Sequence, residues 1–210
     1  MGRYLGSSCK HCRREGMKLM LKGARCETGK CAVERRERHM APGMHGWRRG
    51  RGSDYGVRLR EKQKLKRYYG MQDKQFMRYF REAERLKGNT GVNLLQLLEC
   101  RLDNVVYKLN FAPSRKAARQ IVSHGHIYVN GRRVNIPDFA VTVGDKITVK
   151  NSDRSRKTIK DQLATNPNYT TQQWLQLNAD KPEATMVSMP TRDDIQLVVE
   201  EQLVVEFCSR

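Results

Sequence analysis

The chain has 210 residues and carries 41 Lys and Arg against 22 Asp and Glu, a formal charge of +19 with a pI near 10.0. With 38% hydrophobic residues and a mean hydropathy of −0.76 it is periodic enough to fold; it has no apolar run of membrane-spanning length, and its opening MGRYLGSSCKHC lacks the apolar segment of an export signal. The charge is uneven, 38 basic and 14 acidic residues before position 161 against 3 and 8 from there on, and such an excess points to a polyanion, nucleic acid first.

Four of the six cysteines, Cys9, Cys12, Cys26 and Cys31, are spaced Cys-x2-Cys-x13-Cys-x4-Cys. That spacing suits a structural zinc site in which two knuckles present two sulfurs each and the x13 loop folds them onto one ion. Arg13, Arg14, Lys22, Arg25 and Lys30 supply potential that favours thiolates, and a metal would replace the core that so short a segment cannot bury. Two disulfides, an iron–sulfur cluster and free thiols are the other readings. His11 sits inside the first knuckle, and His39 and His45 are substitute ligands. GARCETGKC, from Gly23 to Cys31, imitates a phosphate-binding loop, but it has one residue too many between its glycines and no Ser or Thr after Lys30. Cys100 and Cys208 stand alone among apolar neighbours and read as packing thiols.

APGMHGWRRGRGS, residues 41–53, reads as an extended linker in which Arg48, Arg49 and Arg51 could follow a phosphate backbone and Trp47 could stack or pack. A helix is expected over Tyr55–Tyr69. Its cations Arg58, Lys62 and Lys66, broadened by Arg60, Lys64 and Arg67, crowd at a spacing where like charges repel, which suggests that they lie against phosphates; a solvated basic face is the bland alternative. A second helix is expected over Asp73–Lys87, with Phe76, Phe80, Ala83 and Leu86 buried and Gly88 as its stop. VNLLQLLECRLDNVVYKLNF recurs at helical intervals until Asn110–Pro113. Ser114 should cap the next helix, Arg115–His124, with Arg115, Lys116, Arg119 and Gln120 facing outward and Ala117, Ala118, Ile121 and Val122 inward. Cations in that first turn oppose the helix dipole unless a phosphate binds there. Asn130-Gly131 signals a tight hairpin between short strands, Gly144-Asp145 a further turn before a strand over Lys146–Val149, and His124 and His126 flank Gly125 as turn residues. In the acidic tail Trp174, Leu175 and Leu177 should be buried, while Ile195–Phe207 fits a helix or a strand.

RLDNVVYKLNFAPSRKAARQIVSHGHIYVNGRRVNIP resembles the signature of the bacterial small-subunit ribosomal protein S-four family, and the likeness runs from MGRYLGSSCKHCRREG through SDYGVRLREKQKLKRYYG to EEQLVVEFCSR. The resemblance implies an α+β fold: a mainly helical domain completed by the C-terminal segment, an inserted small helix-and-strand RNA-binding domain, and here an N-terminal metal-bound segment, since the four cysteines match the family's metal-bearing variant. The corresponding divisions are 1–47, 48–92 with 180–210, and 93–179. It also implies a cytoplasmic constituent of the small ribosomal subunit that binds small-subunit ribosomal RNA in its five-prime domain and starts assembly. Such a protein contacts ribosomal protein S-five and other small-subunit proteins, lies near where messenger RNA enters, and influences decoding accuracy. Carried over by position, Ser114, Arg115, Lys116, Arg119, His124, His126, Asn130, Arg132 and Arg133 belong to the RNA-facing surface. Arg38–Pro42 is longer than the family pattern, and Asp138 stands where a serine is more familiar; neither touches a proposed ligand.

Other classes remain open. The same small RNA-binding fold is appended to pseudouridine synthases, and Arg101-Leu102-Asp103 imitates the run around their catalytic aspartate, although a structural role for Asp103 beside an arginine fits its Leu/Val-rich surroundings better. A zinc-dependent DNA-binding regulator fits the charge but not the spacing of a finger. An anionic membrane could also use the charge, yet no lipidation motif supports it.

Overall fold

The computed structural model describes residues 4–35, 40–46, 52–166, 169–178 and 182–209; the expectations for His39, Trp47, Arg48, Arg49 and Arg51 lie outside them. The chain divides into two compact units, Met1–Leu94 with Leu197–Arg210, and Leu95–Gln196. Among the described residues no helix is long and apolar enough to cross a membrane.

The first unit is helical. α1 (Ser8–Glu15) leads through a short 3-10 turn at Gly23–Cys26 to α2 (Asp54–Tyr68), α3 (Asp73–Arg85) and the beginning of α4 (Thr90–Glu99). α2 starts where Ser53 Oγ accepts the Gly56 N–H at 3.2 Å, a side-chain N-cap. α3 buries Phe76, Tyr79, Phe80 and Ala83 along one stripe. The expected stripe and helix run too far, however. α3 stops at Arg85 because Leu86 turns extended and 47% exposed, and Asn93 Nδ2 donates to the carbonyls of Leu86 and Lys87, each at 3.3 Å. The C-terminal segment resolves as a helix, α8 (Glu201–Cys208), which packs on α2 with Val204 buried and the Phe207 ring 5.4 Å from that of Tyr55.

In the second unit the Leu/Val periodicity is not one helix. α4 ends at Glu99 and α5 (Leu102–Lys108) restarts after an extended Arg101, which bridges Ala140. Two bonds hold the break: Val141 N–H to the Cys100 carbonyl and Leu102 N–H to that of Phe139, both 2.9 Å. α6 (Arg115–Ser123) is capped by Ser114 Oγ, which accepts from Ala117 N–H at 3.3 Å. β1 (Ile127–Val129) and β2 (Arg132–Arg133) follow as a hairpin, then β3 (Lys146–Val149), α7 (Asp153–Thr165), β4 (Leu175–Leu177) and β5 (Glu183–Met186). Asn130 (φ 50°) and Gly131 (φ 76°) both take the left-handed conformation that a two-residue hairpin turn requires. The five strands form one antiparallel sheet in the order β2-β1-β3-β5-β4. This moves a boundary: Glu183–Met186, grouped by sequence with the helical domain's C-terminal segment, lies inside the sheet of the second unit. Leu102, Val105 and Leu109 of α5, Ala118 and Val122 of α6, Ile159 of α7 and Ile127, Ile147, Trp174 and Ala184 of the sheet region share its core.

Candidate nucleic-acid interface and thiol cluster

The six cations of α2 do not stand free. Arg58 Nε lies 2.7 Å from Glu206 on α8, Lys62 and Lys66 share Asp73 at 3.3 and 3.2 Å, Lys64 pairs with Glu61, and Arg60 (3.4 Å) and Arg67 converge on Glu15 of α1. Lys62 is buried, with its ammonium 5.2 Å from the centre of the Phe207 ring. Burial pushes the Glu15 carboxyl up even with Arg67 and Arg60 beside it, and burial likewise lowers Arg67, so this pair carries a desolvation cost. The like-charge crowding that suggested bound phosphate is relieved by carboxylates within the chain, two of them, Glu15 and Glu206, distant in sequence.

α6 requires a sharper correction. Of the outward-facing set, only Lys116 and Gln120 are exposed. Arg115 is buried: its Nε donates to Asn104 Oδ1 at 2.8 Å and its guanidinium sits 4.6 Å from the centre of the Tyr107 ring, while Asn104 Nδ2 donates to Glu99 at 2.6 Å. Arg119 is partly buried, 3.4 Å from Asp103. Asp103 in turn accepts two bonds from the fully buried Arg101, at 3.1 and 2.8 Å, and Arg101 reaches Asp138 at 2.6 Å. Asp103 is therefore the structural carboxylate that its surroundings suggested. Asp138, which touches no proposed ligand, supplies half of the counter-charge for a buried guanidinium. Ser114 is spent on the cap. Asn130 is spent on the fold as well: its Nδ2 donates to Asp145 Oδ1 at 2.7 Å and its Oδ1 accepts from Lys146 N–H at 2.9 Å.

Free positive charge gathers instead around the hairpin and α7. Arg132, Arg133 and His124 are exposed, and His126 is half-buried with Nδ1 2.9 Å from Ser155 Oγ on α7. Burial lowers the His126 pKa, and His124, Lys150, Arg133 and Arg154 lower it further. Sequence reasoning missed Lys150, Arg154, Arg156, Lys157 and Lys160, all exposed on or just before α7, where only Ser155 and Ile159 are buried. The signal was available in SDRSRKTIK, a cap followed by a basic run with a single apolar position in its middle.

Cys9, Cys12, Cys26 and Cys31 line one pocket together with Leu21 and Lys22, and no disulfide joins them. Cys12, Cys26 and Cys31 are buried. The Lys22 backbone N–H donates to Cys26 Sγ at 3.4 Å, a bond that favours a thiolate. Burial raises the Cys12 thiol, a backbone hydrogen bond at Leu19 opposes this, and the other three sulfurs raise it again: four thiolates repel one another until a cation joins them. The donor set thus fits a tetrahedral thiophilic ion, although among the described residues no group of three or more His, Cys, Asp or Glu already stands in metal-holding geometry. His11 packs on Tyr4, with ring centres 4.2 Å apart, and His45 is exposed; neither lines the pocket. Burial pushes Cys100 up to about 12 and Cys208 up to about 11, as packing thiols.

Comparison with known proteins decides the family. A model described as Ribosomal protein S4/S9 N-terminal domain matches residues 3–99, and one described as S4 domain matches residues 100–147. Small ribosomal subunit protein uS4 of Halothermothrix orenii and that of a Thermoanaerobacter species are each 55% identical to the chain over 210 residues, covering all of both chains. The Desulfitobacterium hafniense protein is 53% identical over 211 residues, again over full length. The chain belongs to the uS4 family. As a uS4 protein it is a constituent of the small ribosomal subunit and not an enzyme. Its Arg101-Leu102-Asp103 run is accordingly a buried ion pair within the S4 domain. That match takes in α5, α6, β1 and β2, ends within β3 and stops before α7.

Proposed function

We propose that this uS4 chain binds small-subunit ribosomal RNA directly, through the edge of the second unit formed by the α6–β1 turn and the β1–β2 hairpin, with His124, His126, Arg132 and Arg133 facing phosphates and Lys116 beside them. One observation carries the reading: the cations of α2, the buried Arg101 and Arg115 and the partly buried Arg119 have partners within the chain, whereas Arg132, Arg133 and His124 are exposed and form no ion pair among the described residues. Exposed, uncompensated cations are what counterion release from RNA requires. Family membership supports the wider reading that such binding nucleates assembly of the subunit body, brings the chain against ribosomal protein S-five and other small-subunit proteins near where messenger RNA enters, and contributes to decoding accuracy. Arg48, Arg49 and Arg51 remain part of the proposed surface. A transcript of the five-prime domain of small-subunit ribosomal RNA should bind the full chain with steep salt dependence, and the chain should co-sediment stably with small subunits. Replacing Arg132 and Arg133 by Gln should weaken binding and lower the salt slope by about one for each phosphate left without its cation. Unchanged affinity and slope would refute this surface.

We further propose that residues 1–47 are held by one zinc ion on Cys9, Cys12, Cys26 and Cys31. Support comes from four unbridged thiols on one pocket in a segment with little core of its own. Bound there, zinc would supply cohesion rather than chemistry. Elemental analysis of reduced protein should return about one zinc per chain, and a chelator or Cys26→Ser should open this segment to protease while residues 93–150 stay resistant. Iron with sulfide would overturn zinc alone; no metal, four reactive thiols and an unchanged digest would overturn the site.

A further inference from the structure

The S4 domain match stops at residue 147, but the exposed positive charge continues past it. Lys150 follows β3, and its backbone N–H donates to the His126 carbonyl at 2.8 Å, which ties the exit of β3 to the start of β1. Ser155, buried in the first turn of α7, holds His126 Nδ1 at 2.9 Å and brings the neighbouring Arg154 to the same edge. Arg133 arrives from β2: it donates to the His124 carbonyl at 3.4 Å and lies so close over Gly125 that an added Cβ would meet its Nε at 2.1 Å. The His124 ring is centred 6.1 Å from that of His126. One imidazole is thus faced by His124 from the α6–β1 turn, Arg133 from β2, Lys150 from the end of β3 and Arg154 from α7. None of these groups has an ion-pair partner among the described residues, and Asp153, the acid adjacent to Arg154, forms no ion pair either.

Gathering five cationic or protonatable groups without a counter-charge costs free energy that an anion would return. We infer that His124, His126, Arg133, Lys150 and Arg154 form one seat for an RNA backbone phosphate, which carries the interface beyond the S4 domain match onto α7. The inference rests on the RNA-binding reading above and adds to it a helix outside that match and a proton. In the free chain, partial burial and the surrounding cations keep His126 neutral near pH 7. A phosphate among the same groups offsets part of that positive field, which raises the His126 pKa and favours uptake of a proton as RNA binds. The bound ring then has a higher pKa than the free one; the extra affinity is complete below the free value and is lost as pH rises through the bound value.

The test is binding of the full chain to the five-prime-domain transcript at several salt concentrations between about pH 5.5 and about pH 8. Lys150→Gln with Arg154→Gln should weaken binding about tenfold and lower the salt slope by about one or two. Arg154→Lys, which keeps the charge, should restore most of the loss. Wild-type affinity should rise about three- to tenfold on acidification, since each unit of pKa difference is worth up to tenfold. His126→Gln should flatten that rise, and His45→Gln, at an exposed residue of the first unit, should not. If the wild-type chain binds with a steep salt slope and the Lys150/Arg154 double variant matches it, the seat is wrong and the RNA-binding reading stands. Affinity independent of pH in the wild type overturns the proton coupling. A wild-type chain that fails to bind the transcript overturns the RNA-binding reading itself.

Discussion

Arg115→Glu should strongly destabilise the second unit, while Lys116→Glu, one position along the same helix, should leave its stability nearly unchanged. Arg115 is 7% exposed, donates to Asn104 at 2.8 Å and covers the Tyr107 ring, and Asn104 in turn donates to Glu99, which is 1% exposed. A glutamate at 115 removes the donor from Asn104 and sets a second carboxylate toward a network that already ends in one. A buried charge left without a partner costs about 3–5 kcal/mol, a large share of the roughly 5–15 kcal/mol that holds a domain together. For a unit of about 100 residues, each kcal/mol lowers the midpoint by about 4–8 °C, so a fall of at least about 12 °C is expected. Lys116 is exposed, and a glutamate in the first turn of α6 would meet the favourable end of the helix dipole; its effect should stay within about 0.5 kcal/mol. Thermal and urea melts followed by circular dichroism separate the two variants. An Arg115→Glu protein that melts with the wild type would refute the buried network, and a Lys116→Glu protein that melts far below it would refute the exposed assignment.

Other substitutions probe neighbouring parts of the same network and fold. Asp138→Ser removes one of the two carboxylates paired with the buried Arg101 and should cost about 1–3 kcal/mol in a urea melt. Gly131→Val places a β-branched residue at φ 76° and should cost about 1–3 kcal/mol, visible as early loss of hydrogen-exchange protection in β1 and β2. Burial alone would raise Asp73, but Lys66 and Lys62 outweigh it and hold the carboxyl below its ordinary value. Its contribution is therefore present above the unfolded value of about 3.9 and lost as pH falls through the lower folded one, so Asp73→Asn should flatten the acid limb of the first unit's stability curve.

The elements were largely legible because they depend on local signals. Ser114 caps α6, Asn130-Gly131 turns the hairpin, and Phe76, Phe80 and Ala83 line α3. What the sequence concealed depends on pairing across distance. The break at Arg101 follows from a bridge to Ala140, so the Leu/Val spacing continues unaltered through it. Leu86 fits the periodicity of α3 but falls after Asn93 has closed the helix. Arg115 looked outward because arginine is polar, yet its face of α6 meets Asn104 and Tyr107 of α5. The four cysteines were legible as a set from their spacing, and the structure adds that they share one pocket.

The same distinction governs the charge. An excess of +19 invites reading every basic run as a surface for a polyanion. α2, which has the densest run, meets carboxylates drawn from Glu15 on one side and Glu206 on the other, residues that no window around the helix contains. Its cations serve first to join α1, α2, α3 and α8 within one unit. Around the hairpin and α7 the run is less dense, and two acids of the same unit are engaged with other groups: Asp145 with Asn130 and Thr142, Glu183 with Lys146. Recognition of a polyanion therefore depends on where carboxylates are withheld more than on where cations are abundant. Neutralising α2 should act on stability, and neutralising the hairpin and α7 on affinity.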